Sequence, residues 1–164
     1  MTSLRKNNFK LSKNKVQKIL VPLDGSKFSI HALNYAINLA KFTHSKIIGI
    51  FVIPSDASTA PIDVLFDPLS AINPVGYEAK MTKLGHKILE QAENRCIQNK
   101  TPFTKIMSSG NPSIVIVKYT ERQRNNIGLI IMGSRGRGHA GEILLGSVSY
   151  NVIHKSKKPI MIIK

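Results

Sequence analysis

A glycine-rich segment in the last third of the chain carries the residue types that proteins use to bind phosphate. Gly133 and Gly136 are separated by two residues, and Gly146 and Ser147 follow after nine more. Glycines expose their backbone N–H groups and adopt positive φ at little steric cost, so several N–H groups can point at one anion. A helix that begins near Ser147 would add unpaired N–H donors and the positive end of its dipole. The segment therefore predicts a site for a nucleotide phosphate.

Two other interpretations of this segment compete with phosphate binding. Most glycine-rich loops are plain surface connections, and the spacing alone does not exclude one here. A P-loop is excluded, because no Gly-Lys-Ser or Gly-Lys-Thr follows at the required offset. Phosphate binding is favoured because Gly133 directly follows an apolar strand and Gly146 precedes a helical pattern.

Apolar and amphipathic periods arrange the rest of the chain as alternating strands and helices. Strands are predicted over residues 18–23, 46–53, 101–108, 129–132 and 159–163, and helices over residues 26–41, 77–99, 112–124 and 147–155. Residues 114–117 are β-branched and could form a strand, but the preceding Gly110-Asn111-Pro112 cap favours a helix. The strand-helix-strand units predict a single-domain α/β fold with an open parallel sheet and helices on both faces.

The order of the elements places Asp24 beside the glycine-rich segment. Ligands of open parallel sheets bind beyond the carboxyl ends of the strands, where the strand order reverses. Two βαβ halves bring the ends of the first and fourth strands together, and hence Asp24 close to Gly133 and Gly136. Taken alone, Asp24 also fits a turn residue whose side chain bonds to the backbone, and Ser147 fits a helix N-cap.

The composition limits the class of protein. The chain has 164 residues, of which 42% are hydrophobic, which suits one globular domain with its own core. No apolar run approaches the roughly 20 residues that span a bilayer, and the basic N-terminus lacks the apolar region of a signal peptide. A single cysteine, Cys96, excludes an internal disulfide and falls on the buried stripe of a helix as a structural thiol. These features predict a cytoplasmic protein.

The charge of the chain is strongly positive. Lys and Arg number 24 against 9 Asp and Glu, and the resulting net charge of +15 favours anionic partners. Residues 1–15 are predicted to be a basic, flexible tail, either solvated or in contact with nucleic acid or lipid. The other lysines are dispersed along the sequence and aromatic residues are few, which disfavours a nucleic-acid-binding role. Residues 54–79, rich in proline, are too long for an ordinary α/β connection.

The motifs together resemble those of the universal stress protein family. Residues 19–26 (ILVPLDGS), 132–136 (MGSRG) and 144–149 (LLGSVS) carry the resemblance, which covers about residues 16–164. It implies a Rossmann-like, adenine nucleotide alpha hydrolase-like fold, with five strands in the order 3-2-1-4-5. It also implies an ATP-binding regulatory protein of the stress response, which forms homodimers by antiparallel pairing of the last strand, residues 159–163.

The resemblance also assigns roles to residues. It implies that Pro22 and Asp24 contact the nucleoside, and that Val52 contacts adenine through its backbone. Ribose and phosphate contacts are implied for Met132, Gly133, Gly136, Gly146, Ser147, Val148 and Ser149. Ser147 would also suit a Mg²⁺ ion bound with the nucleotide. Arg135, Arg137 and His139 would either neutralise a triphosphate or be solvated.

Two residues depart from the family pattern, and three functions stay open. Phe51 stands where many relatives have His, and Gly128 stands where many have Asp, which would loosen the start of the fourth strand. The favoured function is nucleotide binding that regulates a partner. A slow or partner-dependent ATPase is the first alternative, because no residue is evidently placed to orient water. The second is a basic protein that associates with nucleic acid, whose binding would weaken steeply with salt.

Overall fold

A computed structural model describes residues 16–55, 74–137 and 145–164 of the chain. The strands are β1 (Lys18–Pro22), β2 (Lys46–Pro54), β3 (Phe103–Gly110), β4 (Leu129–Gly133) and β5 (Ile160–Ile163). The helices are α1 (Lys27–Thr43), α2 (Pro74–Gln98), α3 (Pro112–Glu121) and α4 (Ser147–Lys155), with a 3-10 turn at Gln123–Asn125. The predicted basic tail, most of the proline-rich connection and His139 lie outside the described residues.

All five strands are parallel and lie in the order β3-β2-β1-β4-β5, which confirms the predicted fold. Two apolar cores cover the two faces of the sheet. On one face α1 and α2 pack through residues such as Leu33 and Leu89, and on the other α3 and α4 pack through Ile116 and Val152. The strands are almost wholly apolar because both of their faces are buried.

Local sequence signals begin the helices where the structure has them. The Ser26 side chain accepts a hydrogen bond from the Ser29 N–H at 3.2 Å and caps α1. The Asn111 side chain accepts from the Ile114 N–H at 3.3 Å, and Pro112 occupies the first turn of α3. The helix prediction over the β-branched residues 114–117 is therefore confirmed, because a good cap outweighs their strand propensity.

The observed boundaries differ from the predicted ones where the chain turns at helix ends. α3 ends at Glu121, before the predicted residue 124, because Arg122 is extended and a separate 3-10 turn follows. β3 begins two residues later than predicted, at Phe103. The reason is that Lys100 adopts a left-handed φ of 54° and the Thr101 N–H donates to the Cys96 carbonyl, so these residues close the end of α2.

Phe51 and Gly128, the two residues that depart from the family pattern, and Cys96 have structural positions: Phe51 and Cys96 are buried, and Gly128 bonds to the start of β1. Phe51 is 3% exposed, and its ring lies so close to Gly85 that an added Cβ there would be 2.6 Å from it. The Gly128 N–H donates to the Lys18 carbonyl at 3.0 Å, and the loosening expected at this residue stays a prediction. Cys96 is fully buried, and burial, followed by the nearby Glu93 carboxylate, raises its pKa to about 12. No helix in the described ranges has both the length and the apolarity needed to cross a membrane.

Candidate functional site

A crevice opens where β1 and β4 separate. These neighbouring strands pair only at Ile19 with Leu129 and at Leu20 with Ile130. Beyond those pairs β1 continues to Pro22 beside β2, and β4 continues to Gly133 beside β5. Because the chain leaves β1 and β4 for opposite halves of the sheet, this is the point of strand-order reversal at which α/β proteins bind ligands.

Asp24 lies at the β1 side of the crevice, and its two carboxylate oxygens have different neighbours. Its Oδ1 atom accepts from the Ser26 N–H at 2.9 Å and from the Ser26 hydroxyl at 2.7 Å. Its Oδ2 atom lies against Gly136, where an added Cβ would be only 2.7 Å away. Oδ1 therefore makes the turn contacts that the sequence predicted for Asp24, while Oδ2 faces the glycine loop. We define the glycine loop as residues 133–146.

Close packing, rather than a positive φ, requires Gly133 and Gly136 in this loop. Among the described glycines, positive φ occurs at Gly25 and Gly110, and not at Gly133, Gly136 or Gly146, where the sequence pattern allowed it. A Cβ on Gly133 would lie 2.7 to 3.0 Å from the Cβ and backbone atoms of Phe28 in α1. Gly133 therefore lets α1 approach the end of β4, and Gly136 lets Asp24 approach the loop.

The start of α4 completes the loop. The N-cap of α4 is Gly146, with φ −74° and ψ 162°, so the alternative assignment of Ser147 as the cap is wrong. Because Gly146 has no side chain to cap the helix, the first N–H groups of α4, at Ser147 and Val148, keep the donor capacity of a helix N-terminus. The Gly146 N–H itself donates to the Ser134 carbonyl at 2.8 Å, which joins the helix to the end of β4.

Ser149 braces this junction. Its hydroxyl is buried and donates to the carbonyls of Ser134 and Gly146, at 2.8 and 2.9 Å. The structure thus gives the Ser149 hydroxyl partners within the fold, and its contact with a phosphate stays a prediction. Ser147, by contrast, is exposed at the first position of α4 and makes its hydroxyl available to a ligand.

Val52 presents backbone groups at the other wall of the crevice. The β1–β2 ladder ends where the Leu23 N–H donates to the Ile50 carbonyl at 2.9 Å. Alternate residues of a parallel strand point their N–H and C=O groups the same way, so those of Val52 also face the side of β1. Since β1 has ended at Pro22, they face the crevice, as a backbone contact to a base requires.

Phe28 lies beside the crevice, which the sequence analysis did not predict. The guanidinium carbon of Arg135 lies 6.0 Å from the centre of the Phe28 ring, and the Lys27 ammonium lies 5.2 Å from it. Such distances allow cation–π attraction, so Phe28 keeps two positive charges near the start of α1. The signal available in sequence was the position of Lys27 and Phe28 directly after the Asp24-Gly25-Ser26 turn.

The remaining predicted residues have mixed positions. Met132 is buried in the core beneath the crevice and Val148 is half-buried against the same core, so both would contribute backbone groups. Arg137 is half-buried. The arrangement combines one carboxylate oxygen, a helix N-terminus, the backbone of Val52 and the cation of Arg135 around one crevice. These groups suit a ligand that has hydroxyl or amine donors at one end and negative charge at the other.

Comparisons with known proteins agree on one family. The model of the universal stress protein family matches residues 15–164. Universal stress protein YxiE of Bacillus subtilis is 31% identical over 150 residues, which cover 90% of this chain and 98% of YxiE. Universal stress protein MJ0577 of Methanocaldococcus jannaschii is 31% identical over 156 residues, covering 90% of this chain and 94% of MJ0577.

Solved structures share the fold. The structure of MJ0577 superposes with a TM-score of 0.68 at 28% identity and covers 92% of this chain and 96% of its own. A universal stress protein from Archaeoglobus fulgidus, solved in complex with dAMP, has a TM-score of 0.64 at 18% identity, covering 92% and 99% of the two chains.

Proposed function

The chain belongs to the universal stress protein family, and we propose that it is a regulatory protein that binds ATP in the crevice between β1 and β4. The observation that carries the proposal is the meeting of Asp24 and Gly136, which puts an acceptor for the nucleoside next to a loop for phosphates. The Archaeoglobus fulgidus protein of the same fold, which holds dAMP, supports an adenine nucleotide as the ligand class.

The roles of the groups follow from their chemistry. The Asp24 Oδ2 atom, which Ser26 does not occupy, accepts from a ribose hydroxyl or a base amine. Val52 offers an N–H and a C=O to adenine, and Pro22 ends β1 opposite Ile50, two residues before Val52 on β2. Backbone N–H groups at Gly133, Gly136, Ser147 and Val148 bind phosphate oxygens, supported by the α4 dipole. Arg135 then balances the charge of the terminal phosphates.

Mg²⁺ enters with the nucleotide rather than through a site of its own. Within residues 16–55, 74–137 and 145–164, no three His, Cys, Asp or Glu side chains cluster as metal ligands. Mg²⁺ commonly keeps several waters and binds through substrate phosphates with few protein ligands. The exposed Ser147 hydroxyl at the start of α4 is the protein oxygen that fits such a role.

Regulation is favoured over turnover. Hydrolysis of a nucleotide needs a group that orients the attacking water and another that stabilises the transferred phosphate. Arg135 suits the second task, whereas Asp24 is held by Ser26 on the nucleoside side of the crevice. ATP hydrolysis by the isolated protein is therefore slow, and the binding of ATP changes which partner the protein engages.

The free edge of β5 supports a homodimer. β5 pairs with β4 on one side, and Met161 on it is 39% exposed. An apolar edge strand with unpaired backbone groups tends to pair with another strand, and antiparallel pairing of two β5 strands would satisfy both edges. The dimer is expected to bury β5, residues 160–163, of each copy.

The direct experiment is to identify any nucleotide that co-purifies with the protein and then to measure the binding of added nucleotides. Purified protein is denatured with acid, and the released small molecules are separated by anion-exchange chromatography. Protein freed of nucleotide is then melted with ATP, ADP, AMP and GTP in excess Mg²⁺. Release of an adenine nucleotide, and a higher melting temperature with ATP than with GTP, would support the proposal. An equal response to all four nucleotides, or none, would contradict it.

A further inference from the structure

The edge of the sheet opposite the crevice collects basic residues that are dispersed in the sequence. In a parallel sheet the amino ends of all strands lie at one edge, and each helix ends there as well. Hydrogen bonds from Lys46 N–H to the Gln17 carbonyl, from Ile47 N–H to Pro102 and from Gly128 N–H to Lys18 hold these strand starts in register. We define the basic edge by six residues near the five strand starts: Lys18, Lys46, Lys100, Arg122, Arg124 and Lys157.

The six cations are distributed across the whole edge. Taken in the sheet order, Lys100 precedes β3, Lys46 begins β2, Lys18 begins β1, Arg122 and Arg124 precede β4, and Lys157 precedes β5. Five of them are exposed, and Lys18 is half-buried. With neighbouring strands about 4.8 Å apart, the row is about 19 Å long. Among the described residues, Glu121 at the end of α3 is the acidic residue of this edge.

Helix C-termini account for part of the positive charge at this edge. Lys41, Arg95, Lys118 and Lys155 lie in the last turns of the four helices, where a cation stabilises the helix. Four of the six residues of the basic edge also follow a helix closely: Lys100 after α2, Arg122 and Arg124 after α3, and Lys157 after α4. Lys18 and Lys46 instead begin strands, where a helix dipole gives no comparable reason. Since each helix already has a cation in its last turn, the six residues give this edge more positive charge than the helix ends need, which favours an anionic partner.

The sequence that precedes the described residues is also basic. Residues 1–15 contain Arg5, Lys6, Lys10, Lys13 and Lys15 and no acidic residue. They join the described chain at Val16, whose carbonyl accepts a hydrogen bond from the Ser45 hydroxyl at the start of β2. The sequence thus carries five further positive charges in the fifteen residues that precede Val16.

We propose that the basic edge binds the phosphate backbone of nucleic acid, without sequence preference, on the side of the protein away from the nucleotide crevice. Duplex DNA carries one charge per about 1.7 Å of its axis, so a 19 Å row of cations meets many phosphates. Gln17 and Asn126 also lie along this edge, where the Asn126 amide donates to the Gln17 amide oxygen at 2.7 Å. The Gln17 NH₂ group is not used in that bond and suits a contact with a phosphate oxygen. A lipid surface is disfavoured because this row consists of charged and carboxamide side chains rather than an amphipathic apolar face.

The test compares two triple variants with the same loss of charge. The edge variant carries Lys46→Gln, Lys100→Asn and Arg124→Gln, with Asn at position 100 because it tolerates the left-handed φ of 54°. The control variant carries Lys83→Gln, Lys87→Gln and Lys164→Gln, which are exposed residues away from the edge. Each variant has three positive charges fewer than the parent at +15. Circular dichroism melting checks that both are folded.

Binding is measured by fluorescence anisotropy with a labelled 20-base-pair DNA duplex at 50 to 200 mM NaCl. The parent should bind, and the edge variant should lose about tenfold or more in affinity at 50 mM, with a salt slope lower by about 2 to 3. The control variant should bind close to the parent. Equal losses in both variants, or no binding by the parent, would overturn the proposal. Edge-dependent binding to phosphatidylserine vesicles without DNA binding would overturn it in favour of a lipid surface.

Discussion

The Oδ2 atom of Asp24 lies so close to Gly136 that a Cβ atom at residue 136 would be 2.7 Å from it. Asp24 follows β1 and Gly136 lies in the loop after β4, and 111 residues, 25–135, separate the two in the sequence. A fold that brings a carboxylate and a bare backbone together across the strand-order reversal has built the two ends of a nucleotide site.

Replacing Gly136 by Val should abolish the ATP-dependent rise in melting temperature. The branched side chain would fill the space between the loop and Asp24, where even a Cβ is 2.7 Å from the carboxylate. The melting temperature without nucleotide should change little, because the obstructing atom is the end of a side chain. Gly128→Ala is the matched control, since its Cβ would lie 3.3 Å from the Val16 Cα, outside the crevice. An undiminished shift in the Gly136→Val protein would refute the site.

Asp24→Asn should weaken ATP binding while leaving the fold stable. An Asn side chain keeps the oxygen that accepts from Ser26, at 2.9 and 2.7 Å in the parent, but loses the negative charge at the crevice. A charge-assisted hydrogen bond contributes about 1.5 to 3 kcal/mol, so the Kd measured by calorimetry should rise at least tenfold. Asp24→Ala should show the same loss and unfold at lower urea concentration as well. Parent-like affinity in both variants would exclude Asp24 from the site.

Gly133→Ala should destabilise the fold itself. Its Cβ would lie 2.8 Å from the Phe28 backbone carbon, and backbone cannot move aside as a flexible side chain can. Overpacking of this kind costs about 1 to 3 kcal/mol, which urea denaturation would detect as a lower midpoint at an unchanged slope. A midpoint equal to that of the parent would mean that α1 does not need this close approach to β4.

The Cys96 thiol should be unreactive in the folded protein and should make stability fall at alkaline pH. Its folded pKa is raised from an ordinary 9.0 to about 12, so between these values the unfolded chain binds fewer protons than the folded one. The free energy of unfolding should then decrease with pH by up to about 1.4 kcal/mol per unit from this group. Urea denaturation at pH 8 and pH 10 should show a steeper decrease for the parent than for Cys96→Ala. Identical decreases would contradict the raised pKa.

Ile162→Pro should convert the proposed homodimer into a monomer. The Ser134 N–H donates to the Ile163 carbonyl, so residue 163 faces β4 and residue 162 directs its N–H to the open edge. Proline there removes a donor needed between two β5 strands and none needed by β4. Light scattering after gel filtration measures the mass. A parent that is already monomeric at micromolar concentration would refute the dimer, and a dimeric Ile162→Pro protein would place the interface elsewhere.

The parallel sheet and the meeting of the first and fourth strand ends could be predicted from signals that need no tertiary context, whereas the strand order was implied by the resemblance to the universal stress protein family. Alternating apolar and amphipathic periods gave the parallel sheet, and the position of Asp24 and Gly133 after strands gave their proximity. The sequence could not show that Gly133 and Gly136 are needed for packing against Phe28 and Asp24 rather than for positive φ. Such contacts join residues far apart in the chain, and they leave no local pattern.

The sequence also misled where tertiary packing decides the outcome. The predicted helix over residues 147–155 is confirmed, but the alternative role of Ser147 as its N-cap is wrong, because the cap is Gly146, whose N–H donates to the Ser134 carbonyl. Basic residues such as Lys46 and Arg124 are far apart in the sequence and therefore looked dispersed. They come together only in the folded protein, because a parallel sheet places all of its strand starts at one edge. The distribution of charge along the sequence of a parallel α/β protein therefore does not reveal how charge is concentrated on its surface.

The most direct test of the nucleotide site is to map the backbone amides that respond to ATP. Two-dimensional ¹H–¹⁵N NMR spectra of the nucleotide-free protein would be recorded during titration with ATP and Mg²⁺. The largest shifts should fall at Asp24, Val52, Gly133, Gly136 and Ser147, at the carboxyl end of the sheet. Shifts concentrated at the opposite edge, around Lys46 and Arg124, or no saturable shifts at all, would contradict a nucleotide site between β1 and β4.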